Sequence, residues 1–127
     1  MIIITFTHKK EQIIKLTNAL VEYVAILESK FNDKTIEEGK KDAFFTYVKK
    51  ETEEMFAQLD EWVDLLSELN EQGDSVINQA IIESTKDNMN ALIMHSYYKD
   101  VRRRRYMEIN RSCIYTYQSV LKELTDE

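Results

Sequence analysis

Apolar residues recur every three or four positions along most of this chain, which is the spacing that places side chains on one face of an α-helix. The first such stretch begins near Thr7, whose hydroxyl is a possible N-cap, and ends near Lys30. Its apolar stripe is Ile13, Leu16, Leu20, Tyr23, Leu27 and Phe31. We therefore predict a first helix there, preceded by a short apolar segment, residues 1–6. This segment either frays, packs on the end of the helices or pairs with a second copy of the chain.

A second stretch, residues 42–71, has the most regular pattern, and Asp42 is a suitable N-cap for it. Its stripe is Phe45, Val48, Thr52, Met55, Leu59, Trp62, Leu66 and Leu69. A helix of this length spans about 45 Å, whereas the first helix spans about 36 Å. The mismatch predicts a kink or break near Thr52.

Residues 76–124 contain neither glycine nor proline and continue the helical spacing. Gly73 suits the left-handed position that ends the second helix, and Asp74 or Ser75 suits the next N-cap. The third helix has the core stripe Ile82, Thr85, Met89, Leu92 and Ser96, edge positions Ile81 and Ile93, and a polar line of Ser84, Asn88, Ala91, His95 and Tyr98. The fourth helix has the stripe Tyr106, Ile109, Cys113, Tyr117, Val120 and Leu124.

The spacing by itself does not separate the third helix from the fourth. A continuous helix over residues 76–124 would be about 74 Å long, which the first two helices could not cover. We therefore predict a turn between Tyr98 and Arg104, with Asp100 as its cap. Four helices joined by short connections predict an all-α fold, an antiparallel up-down-up-down four-helix bundle in a single domain, residues 1–127.

Composition agrees with a folded helical protein. The 127 residues suit one domain, and zero prolines and two glycines leave few signals for strands or turns. The net charge of −6 argues against nonspecific binding to nucleic acid or to anionic membranes. A single cysteine, Cys113, excludes an intrachain disulfide and fits a reducing compartment. Neither a signal peptide nor a membrane span is evident, so we expect a cytoplasmic protein without membrane association.

Several short motifs resemble those of the YppE-like family in their order and spacing. They are Phe44-Phe45, Trp62, Lys86-Asp87-Asn88, Ser96-Tyr97, Arg105-Tyr106, Ser112 and Tyr115-Thr116. The resemblance implies a small cytoplasmic four-helix bundle of the kind found in Gram-positive bacteria, without an established activity. It assigns no catalytic residue. In the family a proline can interrupt the helix that follows the Phe-Phe pair, whereas this chain has Lys49-Lys50-Glu51 there.

The predicted turn between the third and fourth helices forms the first candidate binding surface, which we call the arginine corner. It consists of Tyr98, Arg102, Arg103, Arg104, Arg105 and Tyr106. Its positive charge could attract phosphate, nucleic acid or an acidic protein, and its tyrosines could stack on bases. Successive helical residues point about 100° apart, however, so the arginines diverge. The alternative is pairing with acids that follow the first helix, which are Asp33, Glu37, Glu38 and Asp42.

The second helix offers another candidate surface, because residues 51–71 hold eight acids and no lysine or arginine. Such a run is typical of a solvated face, and it could also bind a basic partner. Asn88 and His95 share one helix face and are interpreted as a polar network rather than a catalytic site. Leu92 precedes His95 by three, so the Glu-x-x-His signature of di-iron bundles is missing. We predict no metal, no cofactor and an inert, buried Cys113.

These features favour a non-enzymatic protein-interaction or regulatory module with an unknown protein partner. The alternative is binding of nucleic acid or another anionic ligand through residues 102–105. An enzyme with an unrecognised site is a third hypothesis. The sequence leaves the oligomeric state open, including a homodimer.

Overall fold

The computed structural model describes residues 2–33 and 41–125, and within them the side chains of residues 7–33 and 43–125. Four helices make up nearly all of this: α1 (Ile2–Asn32), α2 (Lys41–Glu71), α3 (Gln79–Tyr98) and α4 (Arg103–Thr125). The described residues contain no strand. Consecutive helices pack side by side and α4 packs on α1, which confirms the predicted all-α four-helix bundle.

One diagonal of the bundle is shorter than the other. Helices α1 and α3 contact across the middle, whereas the backbones of α2 and α4, as far as they are described, do not approach each other. Two large aromatic side chains fill this longer diagonal. The rings of Trp62 and Tyr117 meet edge to face, with centroids 5.3 Å apart. Both side chains are fully buried.

The predicted apolar stripes form the core with few exceptions. All predicted positions of α4 are buried, and so are those of α2 from Val48 onward. The prediction that Phe45 belongs to the buried stripe was wrong, since it is 61% exposed. Phe44, four residues before Val48, is the one packed against the core, and its ring meets Tyr98 edge-on at 5.6 Å. Ile93, predicted at an edge, is fully buried because the core-facing side of α3 is broader than one stripe.

The predicted start of α1 was wrong, and its correction removes the argument for a break in α2. Helix α1 begins at Ile2 rather than near Thr7, so the apolar N-terminal segment is helical from its second residue. Helices α1 and α2 therefore have the same length, 31 residues each. Helix α2 continues through Thr52, whose hydroxyl donates to the Val48 carbonyl at 2.8 Å.

Gly73 ends α2 as predicted, with φ +82°. The amide of Asp74 donates to the Leu69 carbonyl at 2.8 Å and that of Gly73 to the Asn70 carbonyl at 3.2 Å, which is the Schellman pattern. The predicted caps of α3, Asp74 and Ser75, were wrong.

Helix α3 begins later, because Val76 and Ile77 pack against the core at the end of the bundle before the helix starts. Asn78 is the N-cap, and its side chain accepts from the Ile81 amide at 2.9 Å. Three residues of the predicted first turn therefore belong to the connection.

The turn between α3 and α4 lies where packing required it. Lys99 adopts a left-handed conformation, φ 53°, and its amide donates to the His95 carbonyl at 2.9 Å. Asp100 was predicted to cap the next helix. Its carboxylate instead lies 2.5 Å from His95 Nδ1, and the first turn of α4 closes between the Tyr106 amide and the Arg102 carbonyl at 3.0 Å.

Candidate functional site

The arginine corner presents its four arginines to solvent. Arg103 donates to the side-chain oxygen of Asn32, at the end of α1. Arg104 and Arg105 both lie beside Glu108, at 3.8 and 3.3 Å. The predicted partners Glu37 and Glu38, and the side chain of Asp42, lie outside the described residues. The arginines therefore diverge as the helix geometry requires, and two of them are neutralised in part within α4.

The two tyrosines of the corner have different environments. Tyr106 is fully buried, its ring stacks on Phe31 at 3.9 Å, and its hydroxyl shares a 2.6 Å hydrogen bond with Ser96. Burial raises the pKa of Tyr106 to about 12. Tyr106 is thus a core residue, and its ring is not available for stacking on a nucleic-acid base. Tyr98 remains 38% exposed and is the aromatic ring that the corner offers to a partner.

Asn88 and His95 do not bond to each other. The Asn88 amide donates to Ser112 on α4 at 3.5 Å, whereas His95 bonds to Asp100 in the turn. The hydrogen bond from His95 lowers the pKa of the Asp100 carboxyl. The predicted network is therefore two separate contacts, and both tie α3 to the segment that follows it.

An apolar groove of about 360 Å³ lies between α2 and α3 and ends at the arginine corner. Its walls are Phe45, Val48, Lys49, Thr52, Glu53, Phe56, Met94 and Tyr98. Phe45, Met94 and Tyr98 are 61, 41 and 38% exposed. The sequence contained one signal for it: neighbouring helical residues point in different directions, so Phe44 and Phe45 cannot both face the core.

A second groove of about 350 Å³ lies between α3 and α4. Its walls are Ile77, Ala80, Ile81, Ser84, Thr85, Asn88, Ser112, Tyr115, Thr116 and Ser119, and none of these is charged. Ile81 and Tyr115 are the exposed apolar residues on its two sides, at 41 and 74%. Ser84 and Asn88 of the polar line predicted along α3 form part of this wall, whereas Tyr98 lines the first groove.

Comparison with known proteins places the fold in a family. Residues 17–124 match a bacterial domain of unknown function, DUF1798. The chain belongs to the YppE-like family. Two solved structures of the protein yppE from Bacillus subtilis share the fold of this YppE-like chain. The crystal structure is 21% identical with a TM-score of 0.74 and covers 90% of this chain and 93% of its own. The solution NMR structure is 19% identical with a TM-score of 0.70, and the match covers 88% of this chain and 91% of that protein's chain. No curated protein matches the sequence.

The acidic face of this YppE-like protein is exposed along α2, as a solvated face requires. Three of its acids pair with lysines on the neighbouring helices. Glu68 lies 3.4 Å from Lys9, Glu51 lies 3.8 Å from Lys30, and Asp60 lies 3.6 Å from Lys86. These pairs connect α2 to α1 and α3 and reduce the charge that is available to an outside partner.

The thiol of Cys113 is fully buried in the core of the YppE-like bundle. Burial raises its pKa to about 12, so the thiolate that a nucleophile requires is disfavoured. Among the residues described, no three His, Cys, Asp or Glu side chains are grouped to hold a metal ion. In the same part of the chain, no helix is long and apolar enough to cross a membrane.

Proposed function

We propose that this YppE-like protein is a non-enzymatic protein-interaction module that binds an amphipathic helix of a partner protein in the groove between α2 and α3. The observation that carries the proposal is the set of large apolar side chains left exposed there, Phe45, Met94 and Tyr98. Contiguous exposed apolar surface of this kind marks interaction sites on soluble proteins. A groove between two helices suits apolar anchors spaced at i, i+3, i+4 and i+7 on the bound helix.

The charges around the groove indicate the chemistry of that helix. Tyr98, the first residue of the arginine corner, closes the groove at one end. Lys99 follows it directly, and the four arginines begin after Asp100 and Val101. Lys49 lines the wall near this end, and Glu53 lies one turn farther from it. A bound helix with acidic residues at the end nearest the corner would complement this gradient. Charges at the rim of an interface act mainly on orientation and association rate, while the apolar anchors supply most of the affinity.

Three observations favour a protein partner over nucleic acid at the same corner. The exposed arginines diverge, so they do not form one row facing a phosphate backbone. Tyr106, one of the two tyrosines offered for base stacking, is inside the core. The net charge of −6 further opposes association with a polyanion.

Fluorescence anisotropy with labelled synthetic peptides tests the proposal. The probes are amphipathic helices with one leucine stripe, carrying either three glutamates or three lysines at one terminus, in both orientations. We expect a glutamate-ended peptide to bind and the lysine-ended peptides to bind at least about tenfold more weakly. The variant Phe45→Ser/Met94→Ser should lose about tenfold or more in affinity for the glutamate-ended peptide, because it removes two of the apolar side chains that contact the peptide's leucine stripe.

Ile81→Ser is the matched control, since it removes an exposed apolar side chain from the other groove. Arg102→Gln/Arg103→Gln should weaken binding mostly at low salt. Equal affinity for all peptides, or an unchanged affinity in the Phe45→Ser/Met94→Ser variant, contradicts the proposal. Binding of a single-stranded oligonucleotide that the arginine variant abolishes would instead support the nucleic-acid alternative.

A further inference from the structure

We infer that the face formed by α3 and α4 is a self-association surface, on which a second copy of this chain packs about a two-fold axis. The centre of this face is the uncharged groove, with Ile81 exposed on its α3 side and Tyr115 on its α4 side. Small residues, Ala80, Ser84 and Ser119, also line the groove. The face therefore carries both projections and the space to receive them.

Charged residues flank this groove with opposite signs on its two sides. On α3, Glu83 and Asp87 are exposed, and Asp87 lies three residues after Ser84 and seven after Ala80, on the same stripe. On α4, Arg111 and Lys122 are exposed, one four residues before Tyr115 and the other seven after it. Glu108, seven residues before Tyr115, is also exposed there, and it lies beside Arg104 and Arg105. The α3 rim of the face is therefore acidic, and the α4 rim is basic on balance.

A two-fold axis that lies in the face, parallel to the helices, turns a second copy face to face with the first and exchanges the two sides. The α3 side of one copy, which carries Ile81, then lies over the α4 side of the other, which carries Tyr115. The acidic rim of each copy comes to lie opposite the basic rim of the other, twice in one interface. Such self-complementarity is what an isologous dimer requires and what an unrelated partner would have no reason to match. The α3–α4 groove and the α2–α3 groove share no lining residue, so this inference is independent of the proposed function.

Sedimentation velocity of the full chain over a micromolar to millimolar range tests the inference through a pair of charge-reversal variants. Glu83→Lys/Asp87→Lys makes both rims basic, and Arg111→Glu/Lys122→Glu makes both acidic. We expect the unmodified chain to form dimers as its concentration rises and each variant alone to remain monomeric. An equimolar mixture of the two variants should form dimers again, because every basic rim then meets an acidic one.

Asp64→Lys/Glu71→Lys is the matched control, because it reverses two exposed acids on α2 and should leave dimer formation unchanged. Tyr115→Ser, which keeps all rim charges, should weaken the dimer at least about tenfold. Circular dichroism confirms that each variant is folded. A chain that stays monomeric at every concentration overturns the inference. Variants that dimerise alone as well as the unmodified chain, or that fail to associate when mixed, overturn it too.

Discussion

At the residue scale, the hydroxyl of Thr17 connects α1 to α2 inside the core. Thr17 donates to the Ile13 carbonyl at 2.6 Å and accepts from Trp62 Nε1 at 2.9 Å. The indole N–H is a donor that must find a partner when the ring is buried, and this contact spans α1 and α2. The interaction therefore holds Trp62, the largest side chain in the core, against α1.

Replacing Thr17 with valine should destabilise the fold by about 1–3 kcal/mol, because the change keeps the shape but leaves the indole N–H buried without an acceptor. Thr52→Val is the matched control: Thr52 is also buried and donates to the carbonyl four residues earlier, and no side chain among those described depends on it as an acceptor. Urea unfolding measures both free energies. Equal losses in the two variants would contradict this role for Thr17.

Tyr106 and Tyr117 form a second matched pair, because both are fully buried and differ in their hydroxyl contacts. The Tyr106 hydroxyl bonds to Ser96, whereas that of Tyr117 has no hydrogen-bond partner among the described residues. Tyr106→Phe should cost about 0.5–1.5 kcal/mol, and Tyr117→Phe should be neutral or stabilising, since it removes an unpaired buried polar group. Thermal unfolding compares them, and a larger loss in Tyr117→Phe would refute the assignment.

Spacing predicted which of these residues are buried but not what they bond to. A period of three to four places Trp62 and Tyr117 on the inner side of their helices, whatever their neighbours are. The partner of Trp62 depends on how α1 is rotated against α2, and that rotation is fixed by many weak contacts together. Phe45 was misplaced for the same reason, since either residue of the Phe-Phe pair continues the pattern.

At the scale of the helices, two left-handed residues end α2 and α3. Lys99 has φ 53° although it carries a side chain, and Gly73 has φ +82°. Lys99→Gly should stabilise the protein by roughly 0.5–1 kcal/mol through relief of this conformation. Gly73→Ala should destabilise it by about 1 kcal/mol, although no atom lies within 4 Å of the added methyl group. Thermal unfolding of both variants tests the pair, and a destabilised Lys99→Gly would show that the side chain contributes more than the strain costs.

The helix ends were less predictable than the helices themselves because capping is local and has several equivalent solutions. Asp74, Ser75 and Asn78 all suit an N-cap, and packing of Val76 and Ile77 on the end of the bundle decides for Asn78. Grooves are harder still. The α2–α3 groove is a property of two helices at once, so the spacing within either one does not reveal it.

At the scale of the whole molecule, α3 separates the two grooves. Met94 and Tyr98 line one, while Ile81 and Ser84 line the other. The same helix thus contributes to the surface proposed for a partner protein and to the one proposed for a second copy. The four-helix bundle leaves both grooves open because its buried residues face the neighbouring helices. The apolar side chains that are not buried lie at the edges of the two grooves.

The whole bundle should lose stability at alkaline pH. Burial raises the pKa of Cys113 and of Tyr106 to about 12, and it also raises the pKa values of Tyr97 and Tyr117. The unfolded chain releases these protons near pH 9.0 for the cysteine and 10.0 for the tyrosines. Since the folded state keeps them, stability is fully present below about pH 9 and falls as the pH rises, by up to about 1.4 kcal/mol per pH unit for each group.

Urea unfolding at a series of pH values from neutral to about pH 11 measures this loss. Tyr106→Phe removes one of the titrating groups, so its stability should fall less steeply above about pH 10 than that of the unmodified chain. Tyr115→Phe changes a tyrosine that is 74% exposed and should leave the slope unchanged. A free energy of unfolding that stays constant up to about pH 11 would mean that these side chains reach solvent in the folded state. Equal slopes in the two variants would show that Tyr106 is not one of the groups that keeps its proton.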